Sequence, residues 1–97
     1  MDEFSLTKKI ILVTGANGLI GKEISHALAS RGADLALLDV CNEKNLQNLK
    51  NKIKKKYNIK IETFKCDISN HIQVKSAIKS IVNKFKSIDV LINLAAI

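Results

Sequence analysis

Short apolar runs alternate along this chain with longer stretches whose apolar residues fall three or four apart. The first run, Ile10-Ile11-Leu12-Val13, sits within Lys9 to Thr14 and reads as a fully buried strand. Leu19 to Arg31 reads as a helix with Ile20, Ile24, Ala27 and Leu28 on its inward face and Gly32 as its stop. Leu35 to Val40 is a second buried strand. Between Glu43 and Tyr57, Leu46, Leu49, Ile53 and Tyr57 keep a helical spacing. Ile59 to Cys66 differs, because Ile59-Lys60-Ile61-Glu62 alternates; this strand shows one face to water and belongs at an edge. Asn70 to Lys86 predicts a third helix, with Val74, Ala77, Ile78, Ile81, Val82 and Phe85 turned inward and Ser69 or Asn70 as its N-cap. Ile88 to Leu94 is a fourth strand, apolar nearly throughout.

The order β-α-β-α-β-α-β predicts an α/β domain with a parallel sheet and right-handed crossovers, spanning residues 1–97. A doubly wound, Rossmann-type sheet of order 3-2-1-4 puts the alternating strand at an edge, as its pattern requires. It also puts the apolar fourth strand at the opposite edge, which natural proteins usually cover. The sheet therefore reads as truncated after its fourth strand, the front of a larger domain.

The first strand-to-helix junction carries the chemistry. Thr14-Gly15-Ala16-Asn17-Gly18-Leu19-Ile20-Gly21 places three glycines three apart, between strand and helix, where a glycine loop wraps a diphosphate. Gly15 leaves the strand in a turn where positive φ is expected. Gly18 lets the backbone approach the diphosphate, and Gly21 lets the helix pack close to the strand. The N–H groups around Leu19 and Ile20 then face the anion at the positive end of the helix dipole.

Asp39 closes the second strand eighteen residues after Gly21, close to the separation of about 20 expected of a ribose-binding acid. A carboxylate accepts hydrogen bonds from both ribose hydroxyls but repels a 2′-phosphate, by as much as about 4 kcal/mol at 4 Å and an effective dielectric near 20. No arginine follows Asp39, and the nearest cation is Lys44. The expected coenzyme is NAD rather than NADP.

Composition trims the alternatives. The 46% hydrophobic and 26% charged fractions suit a globular domain, and no apolar run exceeds four residues. Neither a signal peptide nor a membrane span is expected, and the default location is cytoplasmic. The net charge of +7 invites a nucleic-acid reading, but the sixteen basic residues are dispersed and aromatics make up only 4%. Their one cluster, Lys54-Lys55-Lys56, closes a predicted helix, where cations offset the dipole. Cys41 and Cys66 form no metal spacing and read as small buried side chains. His26 and His71 have no partners spaced for a metal or a triad, so no metal site is expected.

With these residues in place the chain resembles the short-chain dehydrogenase/reductases. Thr14-Gly15-x-x-Gly18-x-x-Gly21 is similar to the family's coenzyme loop, in the spacing of its extended members. Cys66-Asp67-Ile68 resembles the acidic position after the third strand, and Asp89-Val90-Leu91-Ile92-Asn93-Leu94-Ala95-Ala96 the fourth-strand motif. That motif departs from the Asn-Asn-Ala-Gly of the shorter members, with Leu94 and Ala96 in place of the second Asn and the Gly. Its Ala95-Ala96 ending is closer to extended members, and Asp89-Val90-Leu91-Ile92-Asn93 to the shorter ones, so the resemblance leaves the subfamily open. The resemblance implies that Gly15, Asn17, Gly18, Leu19 and Ile20 face the diphosphate and adjacent ribose, and Asp39 the adenosine ribose. It further implies that Asp67 and Ile68 meet the adenine, and that Asn93 and Ala95 line the floor towards the nicotinamide.

The reaction so implied moves a hydride between the coenzyme and a small-molecule alcohol or ketone, a sugar among the candidates, in a homo-oligomeric full-length protein. The family's Tyr-x-x-x-Lys pair has no counterpart. Tyr57 is the only tyrosine, the residue four beyond it is Ile61, and no catalytic residue is assigned. The 97 residues read as a coenzyme-binding fragment, inactive alone. Two rival readings keep the fold: S-adenosylmethionine-dependent methyl transfer, and a non-catalytic nucleotide-binding interaction module.

Overall fold

A computed structural model describes residues 5–95. The elements run β1 (Ile10–Thr14), α1 (Leu19–Ser30), β2 (Asp34–Asp39), α2 (Glu43–Lys56), β3 (Ile61–Lys65), α3 (His71–Phe85) and β4 (Val90–Asn93). All pairings are parallel, and the strand order is β3-β2-β1-β4. The order 3-2-1-4 and the edge position of β3 are as the pattern required. But β3 shows no water-facing side: Ile59 and Lys60 precede it, and Glu62 is half-buried because Lys50 and Lys84 pair with its carboxylate.

Successive strand residues point to opposite faces, and the core divides accordingly. Ile11, Val13, Leu35 and Leu37 pack beneath α1 and α2 with Ala29, Leu49 and Ile53. Leu12, Ala36 and Leu38 pack beneath α3 with Ala77, Ile81 and Phe85. Each fully buried Leu or Ile contributes roughly 1.5–3 kcal/mol. Among the described residues α3 alone covers the second face, and beside β4 that face holds exposed Leu91, Ile78 and Val82.

Two helix faces differ from the periodicity. In α1 the buried stripe is Gly21, Ser25 and Ala29, while Ile20 is 64% exposed and Ala27 is also exposed. Small side chains let the helix lie close to the sheet, so the apolar residues beside them ride up at its flanks. In α3 the stripe is Ala77, Ile81 and Phe85; Ile78 and Val82 stand one step round the helix, beyond the covered part of the sheet. Cys66 is buried as expected, but Cys41 is only half-buried, since β2 ends at Asp39 and Cys41 already lies in the following turn.

Caps set the helix starts. Asn42 Oδ1 accepts from the Asn45 N–H at 2.9 Å, and Asn70 Oδ1 from the N–H groups of Ile72 and Gln73 at 3.0 and 3.1 Å. Such caps contribute about 1 kcal/mol each. Helix α1 begins differently: its N-cap is Gly18, no side chain caps it, and its first turn holds no acid. The orphan N–H groups of that turn open at the carboxyl end of the sheet.

Candidate coenzyme site

The carboxyl ends of the parallel strands gather Thr14, Asp39, Cys66 and Asn93 along one edge of the sheet. Here a cavity of about 240 Å³ is lined by Gly15, Gly18, Asp39, Asp67, Ile68 and Ala95, together with Leu38, Val40, Cys66 and Leu94. Gly15 forms its inner corner at φ 68°, where a Cβ would also come within 2.9 Å of the Ala95 nitrogen. Both reasons demand glycine. A Cβ on Gly18 would meet only the Gly15 carbonyl, at 3.3 Å.

Asp39 is aimed at this corner. Its Oδ2 accepts from the main-chain N–H of Asn17 at 2.8 Å, and its Oδ1 from the N–H groups of Val40 and Cys41 at 2.7 and 3.2 Å. A carboxylate offers about four acceptor positions, so Oδ2 keeps room for a further donor. The Ala16 N–H donates to the Leu38 carbonyl at 3.0 Å, a second tie between the loop and the end of β2. Burial, and then the Asp39 carboxylate, push the Cys41 thiol up from its ordinary pKa. Burial does the same to Cys66.

Asp67 lines the same cavity. Its Oδ1 accepts from the Ser69 N–H at 3.0 Å and from the Ser69 hydroxyl at 2.7 Å. Those bonds hold its carboxyl below the usual carboxylate range.

Thr14 ties the fourth strand to the first. Its hydroxyl donates to Asn93 Oδ1 at 2.5 Å and accepts from the N–H groups of Leu94 and Ala95 at 3.1 and 3.3 Å. Loop spacing alone does not assign Thr14 this role. A hydroxyl at the end of an apolar strand is the available signal, because burial obliges it to find partners.

Not every expected residue lines the cavity. Leu19 and Ile20 are exposed at the start of α1, at 86% and 64%. Gly21 is buried, and a Cβ there would lie 2.1 Å from the Gly15 carbonyl oxygen, so its close contact is with the loop rather than the strand. Asn17 reaches the site through its main chain while lining a polar cleft between α1 and α2. Asn93 lines an apolar hollow on the α3 side. Ala96 of the fourth-strand motif lies outside the described residues.

A family model for short chain dehydrogenase matches residues 9–97. The chain belongs to that family. An NADP-dependent mannitol dehydrogenase from Alternaria alternata is 31% identical over 93 residues, which are 94% of this chain and 35% of that protein. Among solved structures, an NAD+-bound xylitol dehydrogenase superposes with a TM-score of 0.83 at 32% identity, covering 93% of this chain and 33% of that one. A short chain dehydrogenase from Mycobacterium smegmatis reaches a TM-score of 0.88 at 28% identity, covering 98% of this chain and 40% of that one. The chain spans about a third of the length of the curated relatives it matches. Membership in this family sets the methyl-transfer reading aside.

For a short chain dehydrogenase the site fits a dinucleotide. Uncapped helix amides, a tight glycine corner lining the cavity and a carboxylate on the next strand are the parts that diphosphate and ribose need. The site lacks a proton donor of the family's kind among the described residues. Tyr57 is the C-cap of α2, beside His26 at 6.4 Å between ring centroids, and does not line the cavity. No helix among the described residues is long and apolar enough to cross a membrane.

Proposed function

We propose that the chain holds NAD for an oxidoreductase that acts on an alcohol or ketone group of a small molecule. The observation that carries this reading is the Asp39 carboxylate, fixed by three main-chain N–H groups beside the glycine corner. When bound, the nicotinamide ring supplies the hydride acceptor or donor. The chain's own residues bind and orient: first-turn amides of α1 meet the diphosphate, Asp39 the adenosine ribose, and Asp67 with Ile68 the adenine. Asn93 and Ala95 border the path towards the nicotinamide, where the Thr14 hydroxyl fixes the Ala95 N–H.

Asp39 favours NAD, since a 2′-phosphate would bring a second negative charge to a carboxylate already saturated on one oxygen. The names of the relatives are divided, with an NADP-dependent mannitol dehydrogenase and an NAD+-bound xylitol dehydrogenase both among them. Those names also support a polyol or sugar as substrate. The 97 residues hold no Tyr-x-x-x-Lys pair, so by themselves they bind coenzyme without turnover. Fluorescence titration with NADH and NADPH tests the reading. Binding of NADH at least about tenfold tighter, a difference of about 1.4 kcal/mol, supports it; tighter NADPH binding, or none of either, overturns it.

A further inference from the structure

The turn after β3 fixes Asp67 more firmly than a surface carboxylate requires. Ser69 gives its Oδ1 two hydrogen bonds, at 3.0 and 2.7 Å. The Asp67 N–H donates to Gln73 Oε1 at 2.9 Å, and its carbonyl accepts from the Asn70 N–H at 3.0 Å. Side chain, N–H and carbonyl are all held, while Oδ2 has no partner among the described residues.

The role of Gln73 departs from the usual helix start. In a capping box the side chain at this position reaches back to the N–H of the N-cap residue. Here Asn70 caps α3 unaided, through Ile72 and Gln73, and the Gln73 side chain reaches three residues further back, to Asp67. Asp67 lines the same cavity as Asp39.

We propose that Ser69 and Gln73 are positioning residues, holding the Asp67 carboxylate so that it selects a purine bearing an exocyclic amine over one bearing an exocyclic oxygen. The inference rests on the coenzyme reading above. A carboxylate only accepts hydrogen bonds. One free to swing can avoid an exocyclic oxygen and take the neighbouring ring N–H instead. One pinned through Oδ1 presents Oδ2 in a single direction, where an amine is bound and an oxygen repelled.

The test is equilibrium titration of the full chain with NADH and with its hypoxanthine analogue. Wild type is expected to prefer NADH by about tenfold or more, the scale of one hydrogen bond to a charged group. Ser69→Ala and Gln73→Met each lower that ratio at least threefold (roughly 0.65 kcal/mol), and Ser69→Thr restores it. A purely structural role would weaken both dinucleotides alike, so an unchanged ratio overturns the proposal. Should Ser69→Ala lose its helical circular dichroism, Gln73→Met carries the test, because Asn70 still caps α3. If folded wild type binds neither dinucleotide, the coenzyme reading falls along with the proposal; if it binds but the ratio ignores both variants, only the positioning role falls.

Discussion

The Asn17 N–H lies 2.8 Å from Oδ2 of Asp39, so the acid at the tip of β2 is also a strap across the glycine loop. One carboxylate thereby serves the loop's shape and the expected sugar contact together. Asp39→Asn keeps the size but can turn an NH₂ group towards the loop amides. Its NADH affinity should fall about ten- to hundredfold, the worth of one or two charge-assisted hydrogen bonds. Its preference for NADH over NADPH should shrink as well. A variant that loses NADH affinity while keeping that preference would show that the carboxylate acts on the loop alone.

Gly15 should be irreplaceable on two counts. Alanine there meets a left-handed φ costing roughly 1–2 kcal/mol, and its Cβ lands 2.9 Å from the main chain of Leu94 and Ala95. Urea unfolding of Gly15→Ala should show a loss of at least about 2 kcal/mol. A loss below about 0.5 kcal/mol would mean that the corner relaxes freely.

Ser25 points the other way. Its hydroxyl is fully buried under α1 and has no hydrogen-bond partner among the described residues. Ser25→Ala removes a desolvated polar group and adds helix propensity. Thermal unfolding should show a gain of about 0.5–1.5 kcal/mol, whereas a loss would reveal a partner for the hydroxyl.

A pH signature should come from the edge strand. Lys50 Nζ lies 2.8 Å from Glu62 Oε1, with both side chains about three-quarters buried, and Lys84 Nζ approaches Oε2 at 3.7 Å. The hydrogen bond from Lys50 is the main cause holding the Glu62 carboxyl below its usual range. The unfolded chain therefore takes up this proton first as pH falls, and stability rises with pH across that window. The contribution is complete above the ordinary glutamate pKa of about 4.3 and is lost as pH falls through the lower folded value. Lys50→Met should cost about 0.5–1 kcal/mol at neutral pH, with the two stability curves converging below about pH 4. Parallel curves would contradict this assignment.

Much of the frame was legible because it follows from period and punctuation. The alternation at Ile59 to Glu62 marked an edge, and the glycine spacing with Asp39 marked the corner. The inward face of α1 was not legible, since hydrophobicity points to Ile20 while close approach to the sheet selects Gly21, Ser25 and Ala29. Ile78 and Val82 misled for another reason: a helix pattern records what is apolar, and cannot say how much sheet lies beneath it. The Thr14 network depends on register, which sets Thr14 opposite Asn93 only once β1 and β4 are paired. Ser69 and Gln73 needed the turn after β3 to be folded before their convergence on Asp67 could be seen.

Amide chemical-shift mapping during NADH titration tests most directly where the dinucleotide lies. The largest shifts are predicted at Gly15, Gly18, Leu19, Val40 and Ile68, all at the carboxyl edge of the sheet. Shifts concentrated instead at Lys54 to Ile59, at the opposite edge, would contradict the account.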